Sequence, residues 1–350
     1  MYSEADLQSA VSAGAITHDA AEALRAHAAG LRSAPVADEE HFRLITGFND
    51  IFVTIAAVLL LVAAAGIGHA IAPGVPGLLV AGSAWGLAEF FTRKRRMALP
   101  SIVLLLAFVG GVTAVPIELI DSTRPHFSDV ATGLIGAGIG LIAAAAAWIH
   151  WRRFMVPITV AAGAAALAAT AIALVMSAFF QINGTRTDDL MLLPLVFAAG
   201  LAIFAYAMRW DMSDPQRETR RSDVAFWLHL LAAPMIAHPL FHWLGISDGE
   251  NIGALSALGV LAIYLLMGMV ALAVDRRALL VSALAYVLIA LTWLFREFGM
   301  VELNVAVTGL VIGSALLALS AFWSPIRTAL VRKLPGTMQG RLPGGMLLAA

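Results

Sequence analysis

"DIFVTIAAVLLLVAAAGIGHAI", residues 50–71, carries a carboxylate at its first position, a histidine near its last, and no other ionisable group between them. A helix of ~20 apolar residues crosses the ~30 Å hydrocarbon layer of a bilayer, so this run reads as a membrane span. Nine further stretches of the same kind follow at 77–92, 100–120, 129–150, 155–180, 190–209, 224–244, 252–274, 278–295 and 303–323. The segments between them are short, and none has room for a soluble domain. The expected fold is therefore all-α: a polytopic transmembrane helix bundle of about ten spans over 49–324. A helical segment over 1–35 and a polar linker over 36–48 precede it, and a tail over 325–350 follows.

Composition agrees. Hydrophobic residues make up 60% of the chain and charged residues 13%, where soluble domains carry about 25% charge. A net charge of −1 gives no electrostatic case for nucleic acid. The chain has no cysteine, which excludes disulfides, thiolate metal sites, iron–sulfur clusters and thiol catalysis together. No signal-peptide core opens the sequence, so the first span is expected to start insertion.

Lys and Arg set the expected orientation. With the N-terminus inside, the inner segments hold 19 of the 22 basic residues, leaving only Arg124, Arg186 and Arg296 outside. The alternation holds through every loop and predicts both termini in the cytoplasm. Four inner loops end in Arg-Arg, in "RRMALP" (95–100), "RRFMVP" (152–157), "RRSDVA" (220–225) and "RRALLV" (276–281). The recurrence reads either as descent from a duplicated helical hairpin or as repeated positive charge at the inner membrane surface. Gly136-x-x-x-Gly140 and Gly309-x-x-x-Gly313 are expected to let helices approach closely.

In the N-terminal segment, Leu7 and Val11 lie one turn apart and Gly14 can end that helix in the left-handed conformation. Thr17 stands where a second helix needs its N-cap, with Asp19 in the first turn. Such a hairpin is too small for its own core. It is expected to dock on the bundle, on a second copy or on a protein partner. The stretch "LQSAVSAGAITHDAAEAL", followed by a spacer and many spans with tiny loops, resembles a family of predicted bacterial polytopic inner-membrane proteins of unknown function. The resemblance implies a location in the bacterial cytoplasmic membrane and brings no activity, cofactor or site residue.

Ionisable residues inside spans are the default functional candidates. Toward the inner side lie Asp50, Glu89, His150 and His229. Asp50 is placed to cap its span and Glu89 to pair with Arg93 one turn on. His150 is expected at the interface, and His229 near a carbonyl or Glu89. Toward the outer side lie His69, Glu118, Asp121, His126, His238, His242, Glu297 and Glu302. His238 and His242 share a helix face. Pro234 and Pro239 are expected to kink or interrupt the same span, and broken membrane helices often line substrate sites. A candidate outward proton or substrate site therefore comprises His238, His242, Glu118 and Glu302. A structural, hydrogen-bonded pair and a divalent-metal site are the other readings of these histidines, the metal one weakly supported without a third ligand, and no cofactor is implied.

There is no phosphate-binding Gly-rich loop with its Lys, no HExxH and no Gly-x-Ser-x-Gly. Three classes remain. The expected role is a membrane scaffold, partner-binding or regulatory component in contact with the lipid bilayer. The alternative is a secondary transporter or channel for a small solute or ion. An intramembrane enzyme is least favoured, for want of a motif.

Overall fold

The structure is a computed structural model and describes residues 4–24, 48–123, 126–183, 188–214, 217, 219–245, 254–297, 304–339 and 342. Two compact units divide the chain, residues 1–42 and 43–350. In the first, α1 (Glu4–Ser12) ends before Gly14, which takes a φ of 68°. The Thr17 hydroxyl then accepts from the Ala20 amide at 3.2 Å, capping α2 (18–24). Both local expectations for this segment therefore hold among the described residues.

In the second unit the ten apolar segments fold as ten helices. They are α3 (Phe48–His69), α4 (Val75–Ala88), α5 (Ala98–Thr123), α6 (Asp129–Phe154) and α7 (Ile158–Asn183), then α8 (Asp188–Met212), α9 (Arg220–Trp243), α10 (Ala254–Val274), α11 (Ala278–Glu297) and α12 (Asn304–Ala321). Among the described residues seven helices, α3 to α9, are long and apolar enough to cross a membrane, α4 counting with the π-helical turn Glu89–Lys94 that continues it. Helices α10 and α11 contribute shorter apolar stretches, Leu258–Val274 and Leu279–Leu291. Helix α12 is followed by α13 (Trp323–Val331) at an angle of 71°. Pro325 explains the break: it has no amide to donate back into α12, but the first turn of a new helix needs none. The tail is thus partly helical, with α14 (Gly336–Gln339) beyond it.

Neighbouring helices pair as antiparallel hairpins, α4 with α5, α6 with α7, α8 with α9 and α10 with α11. Helix α9 also packs on α7 and α11. Half of its span is buried, against 17–33% for the other six, so α9 is the central helix. It runs without interruption through Pro234 and Pro239. Each proline removes one helical hydrogen bond, yet no break follows.

Small residues set several crossings. A Cβ on Gly77 would lie 2.6 Å from the Gly111 carbonyl oxygen, and one on Gly111 would lie 2.8 Å from that of Gly77. Gly133 is equally tight against the Ser177 Cβ, at 2.7 Å. Gly140 has no room for a methyl group against Thr170, whereas Gly136 leaves 3.9 Å to the Ala173 Cβ. The expected Gly136–Gly140 pair is therefore half right: the α6 contact is carried by Gly133 and Gly140. Gly309 and Gly313 face open space, so that pair mediates no crossing among the described residues.

The four Arg-Arg turns share one backbone feature. Arg96, Met155, Arg217 and Asp275 have φ between 53° and 60°, one in each turn, a conformation that costs a non-glycine residue about 1–2 kcal/mol. The left-handed residue stands at a different place relative to each Arg pair. The turns share a conformation without sharing a register.

Gly77→Val is expected to lower stability by about 1–3 kcal/mol through overpacking, while Gly309→Ala stays within about 0.5 kcal/mol of the parent. Thermal unfolding in detergent checks both, and equal losses would contradict the assigned crossing.

Candidate functional site

A buried charge centre joins α8, α9 and the α10–α11 turn. Asp211 sits in the last turn of α8 and His229 lies inside α9; both are fully buried. His229 Nε2 lies 2.8 Å from Asp211 Oδ2. A carboxylate only accepts, so Nε2 carries the proton and donates. Arg276, 3% exposed, donates through Nη2 to Asp211 Oδ1 at 2.5 Å and to the Ser222 carbonyl at 3.1 Å. Its Nε lies 3.4 Å from Asp211 Oδ2. The ring of Phe204 closes the His229 side, edge-on at 5.0 Å. His229 Nδ1, an acceptor in this tautomer, has no partner among the described residues.

Local chain geometry puts these groups together. Asp214 accepts from the Thr219 amide at 2.9 Å and the Thr219 hydroxyl at 2.7 Å. Thr219 in turn caps α9 by accepting from the Arg221 amide. That tight connection sets α9 beside the end of α8, so residues 18 positions apart can meet. Arg276 directly follows the left-handed Asp275.

Asp275 is the hub of a second layer. Its Oδ2 accepts from Arg217 Nη1 at 3.0 Å, and its Oδ1 from the Trp323 indole at 2.7 Å. Arg327 Nε stands 3.6 Å from Oδ1. Arg217 Nη2 also donates to the Asp275 carbonyl at 3.0 Å, and Arg277 lies over the Trp323 ring at 4.9 Å. Asp211 and Arg276 balance one to one in the first layer, Asp275 is shared by Arg217 and Arg327 in the second, and the adjacent residues Asp275 and Arg276 connect the two.

The residues singled out from the sequence take other partners. Glu118 Oε2 accepts from the Gly74 amide at 2.8 Å, fixing the α3–α4 turn in which Gly74 has a φ of 84°. His238 is exposed, with Nδ1 2.6 Å from the Tyr286 hydroxyl. The His238 and His242 rings are 6.3 Å apart, and Tyr286 stacks on Phe241 at 4.5 Å. Glu118 and the histidine pair are thus each engaged locally. Glu302 lies outside the described residues. No group of three His, Asp or Glu able to hold a metal occurs among the described residues.

The inner set fares differently. Glu89 meets Arg93 at 3.2 Å, as its spacing implies, and is also gripped by Arg153 at 2.6 and 2.9 Å. His150 is fully buried against Phe154, with Nδ1 3.3 Å from the Thr159 hydroxyl. His229 meets Asp211 and not Glu89. Sequence reasoning counted Arg276 as one more loop charge and passed over Asp211. The available signal was "RWDMSD" (209–214), a carboxylate still inside the apolar helix.

No protein-family model, curated protein or solved structure matches the chain. The centre is therefore read from its own chemistry.

Breaking a buried ion pair leaves an uncompensated charge at a cost of about 3–5 kcal/mol, whereas replacing both partners by apolar residues is often neutral. Arg276→Met is therefore expected to lower the detergent melting temperature sharply, and Asp211→Leu/Arg276→Met to recover most of the loss. If the double variant is no better than the single one, the pair is not the electrostatic unit described.

Proposed function

We propose that this protein is a multi-pass component of a bacterial cytoplasmic membrane, with about ten spans and both termini inside, and that it acts as a secondary transporter or channel for a small solute or ion. The Asp211–His229–Arg276 centre is its working part. The likeness of the N-terminal segment to bacterial inner-membrane proteins and the one-sided distribution of Lys and Arg support the location.

The observation that carries the role is the complete burial of Asp211 and His229 inside membrane helices. Ionisable residues there are expensive and mark ion, proton and substrate paths. The Asp211–Arg276 pair ties helix ends together, but the α8–α9 packing does not require the imidazole. Val224, Leu228 and Ala232 from α9 and Ile203 and Ala207 from α8 already close the α8–α9 contact with apolar surface. A phenylalanine at 229 would fill the space without leaving a buried nitrogen unpaired, a penalty of about 1–3 kcal/mol. A centre held against that cost, with a bare acceptor, suits a group that exchanges a proton or receives a donor from a passing solute.

A scaffold or partner-binding role is the second reading. It rests on the separate compactness of residues 1–42, a unit suited to docking or self-association.

A test needs no substrate, because the chain has no cysteine. Ala225 is fully buried one turn before His229. In inside-out vesicles, Ala225→Cys is expected to react with a membrane-impermeant thiol reagent at a slow, finite rate as the centre opens. Complete protection, with an exposed Ser213→Cys control labelled in minutes, would favour the scaffold.

A further inference from the structure

The 71° turn from α12 into α13 leaves a cleft in its angle with a volume of about 530 Å³. Ala315 and Ala318 line it from α12, Phe322 sits at the corner, and Pro325, Ile326 and Ala329 line it from α13. The opposite face of α13 is committed elsewhere. Trp323, Arg327 and Val331 are buried at successive turns, and the first two reach Asp275. Helix α13 cannot roll to close the cleft without breaking those contacts. The cleft is thus a fixed, open apolar hollow.

Helical spacing carries its α13 wall onward into two cations. Arg332, three residues beyond Ala329, continues the stripe at the C-cap of α13, and Lys333 follows it in the next turn. The backbone is still helical at Arg332. Both side chains are exposed, and neither pairs with a carboxylate among the described residues. An occupant must therefore combine an apolar chain that fills the hollow with an anionic group one turn away. A phospholipid has this form.

We propose that the α12–α13 angle is a binding site for one anionic phospholipid, its acyl chain along Ala318 and Ile326 and its headgroup on Arg332 and Lys333. The membrane reading alone is needed for this, and the transport reading is not. The site matches the inner leaflet, where surface potential favours juxtamembrane Lys and Arg.

The test is native mass spectrometry of the purified full chain titrated with phosphatidylglycerol or phosphatidylcholine of identical acyl chains. One tightly held phosphatidylglycerol is expected, preferred by roughly thirtyfold, the scale that two cations near an anionic group supply. Arg332→Gln/Lys333→Gln should abolish the preference while leaving weak binding of both lipids. Ala318→Trp should block the hollow and remove the tight adduct, with an unchanged melting temperature as the control for folding. Equal occupancy by the two lipids, or an adduct indifferent to Ala318→Trp, would overturn the site. Disulfide-linked dimers of Ile326→Cys formed in native membranes would do the same by giving the cleft to a second copy. None of these positions touches Asp211, His229 or Arg276, so failure here leaves that centre standing.

Discussion

A carboxylate buried beside a guanidinium, away from water, constrains more of this molecule than any other interaction. Asp211 cannot be tolerated alone in the interior, and Arg276 is the cation placed to neutralise it. Meeting that requirement brings the end of α8 against the α10–α11 turn, across 65 residues of sequence. The Arg276 contact to the Ser222 carbonyl fastens the start of α9 to the same point. Asp275, one residue away, then ties in Arg217 and α13. Dispersion and close backbone contact hold the helices together within lipid, but the charge layer decides which helix ends converge.

The same layer explains an otherwise costly backbone. Arg217 and Asp275 both occupy the left-handed region, and both are partners in one ion pair at 3.0 Å. Their strain, on the order of 1–3 kcal/mol each, persists where surrounding contacts over-determine it. Arg96 and Met155, in the other two Arg-Arg turns, reach the same conformation with no ion pair joining them among the described residues. The turns are alike in shape, but they are held in different ways.

Much of the architecture was legible in the sequence because hydropathy and helix length answer directly to bilayer thickness. Each of the ten apolar runs became a helix, and Gly14, Thr17 and Glu89 did locally what their spacing implies. The buried charge centre was less legible. His229 stood out, but its partner lies in a different helix, and helical periodicity orders residues only within one. Arg276 was hidden by its own success as a topology signal, since an arginine after an inner loop is expected to face water. The neighbours Trp151 and Arg152 suggest an interfacial His150 but say nothing of the aromatic surroundings that bury its ring. In the outward set, the shared helix face pairs His238 with His242, but only membrane depth links them to Glu118, and depth places groups at one level without placing them side by side.

The most direct test of the central claim is the ¹⁵N spectrum of His229 in the protein reconstituted into bilayers, assigned by comparison with His229→Gln. The account predicts a proton on Nε2, a bare Nδ1, and loss of the Nε2–H signal after transfer into D₂O as the centre opens to water. The opposite tautomer, or an Nε2–H that stays protected indefinitely, would contradict it and leave the buried charges as a purely structural clamp.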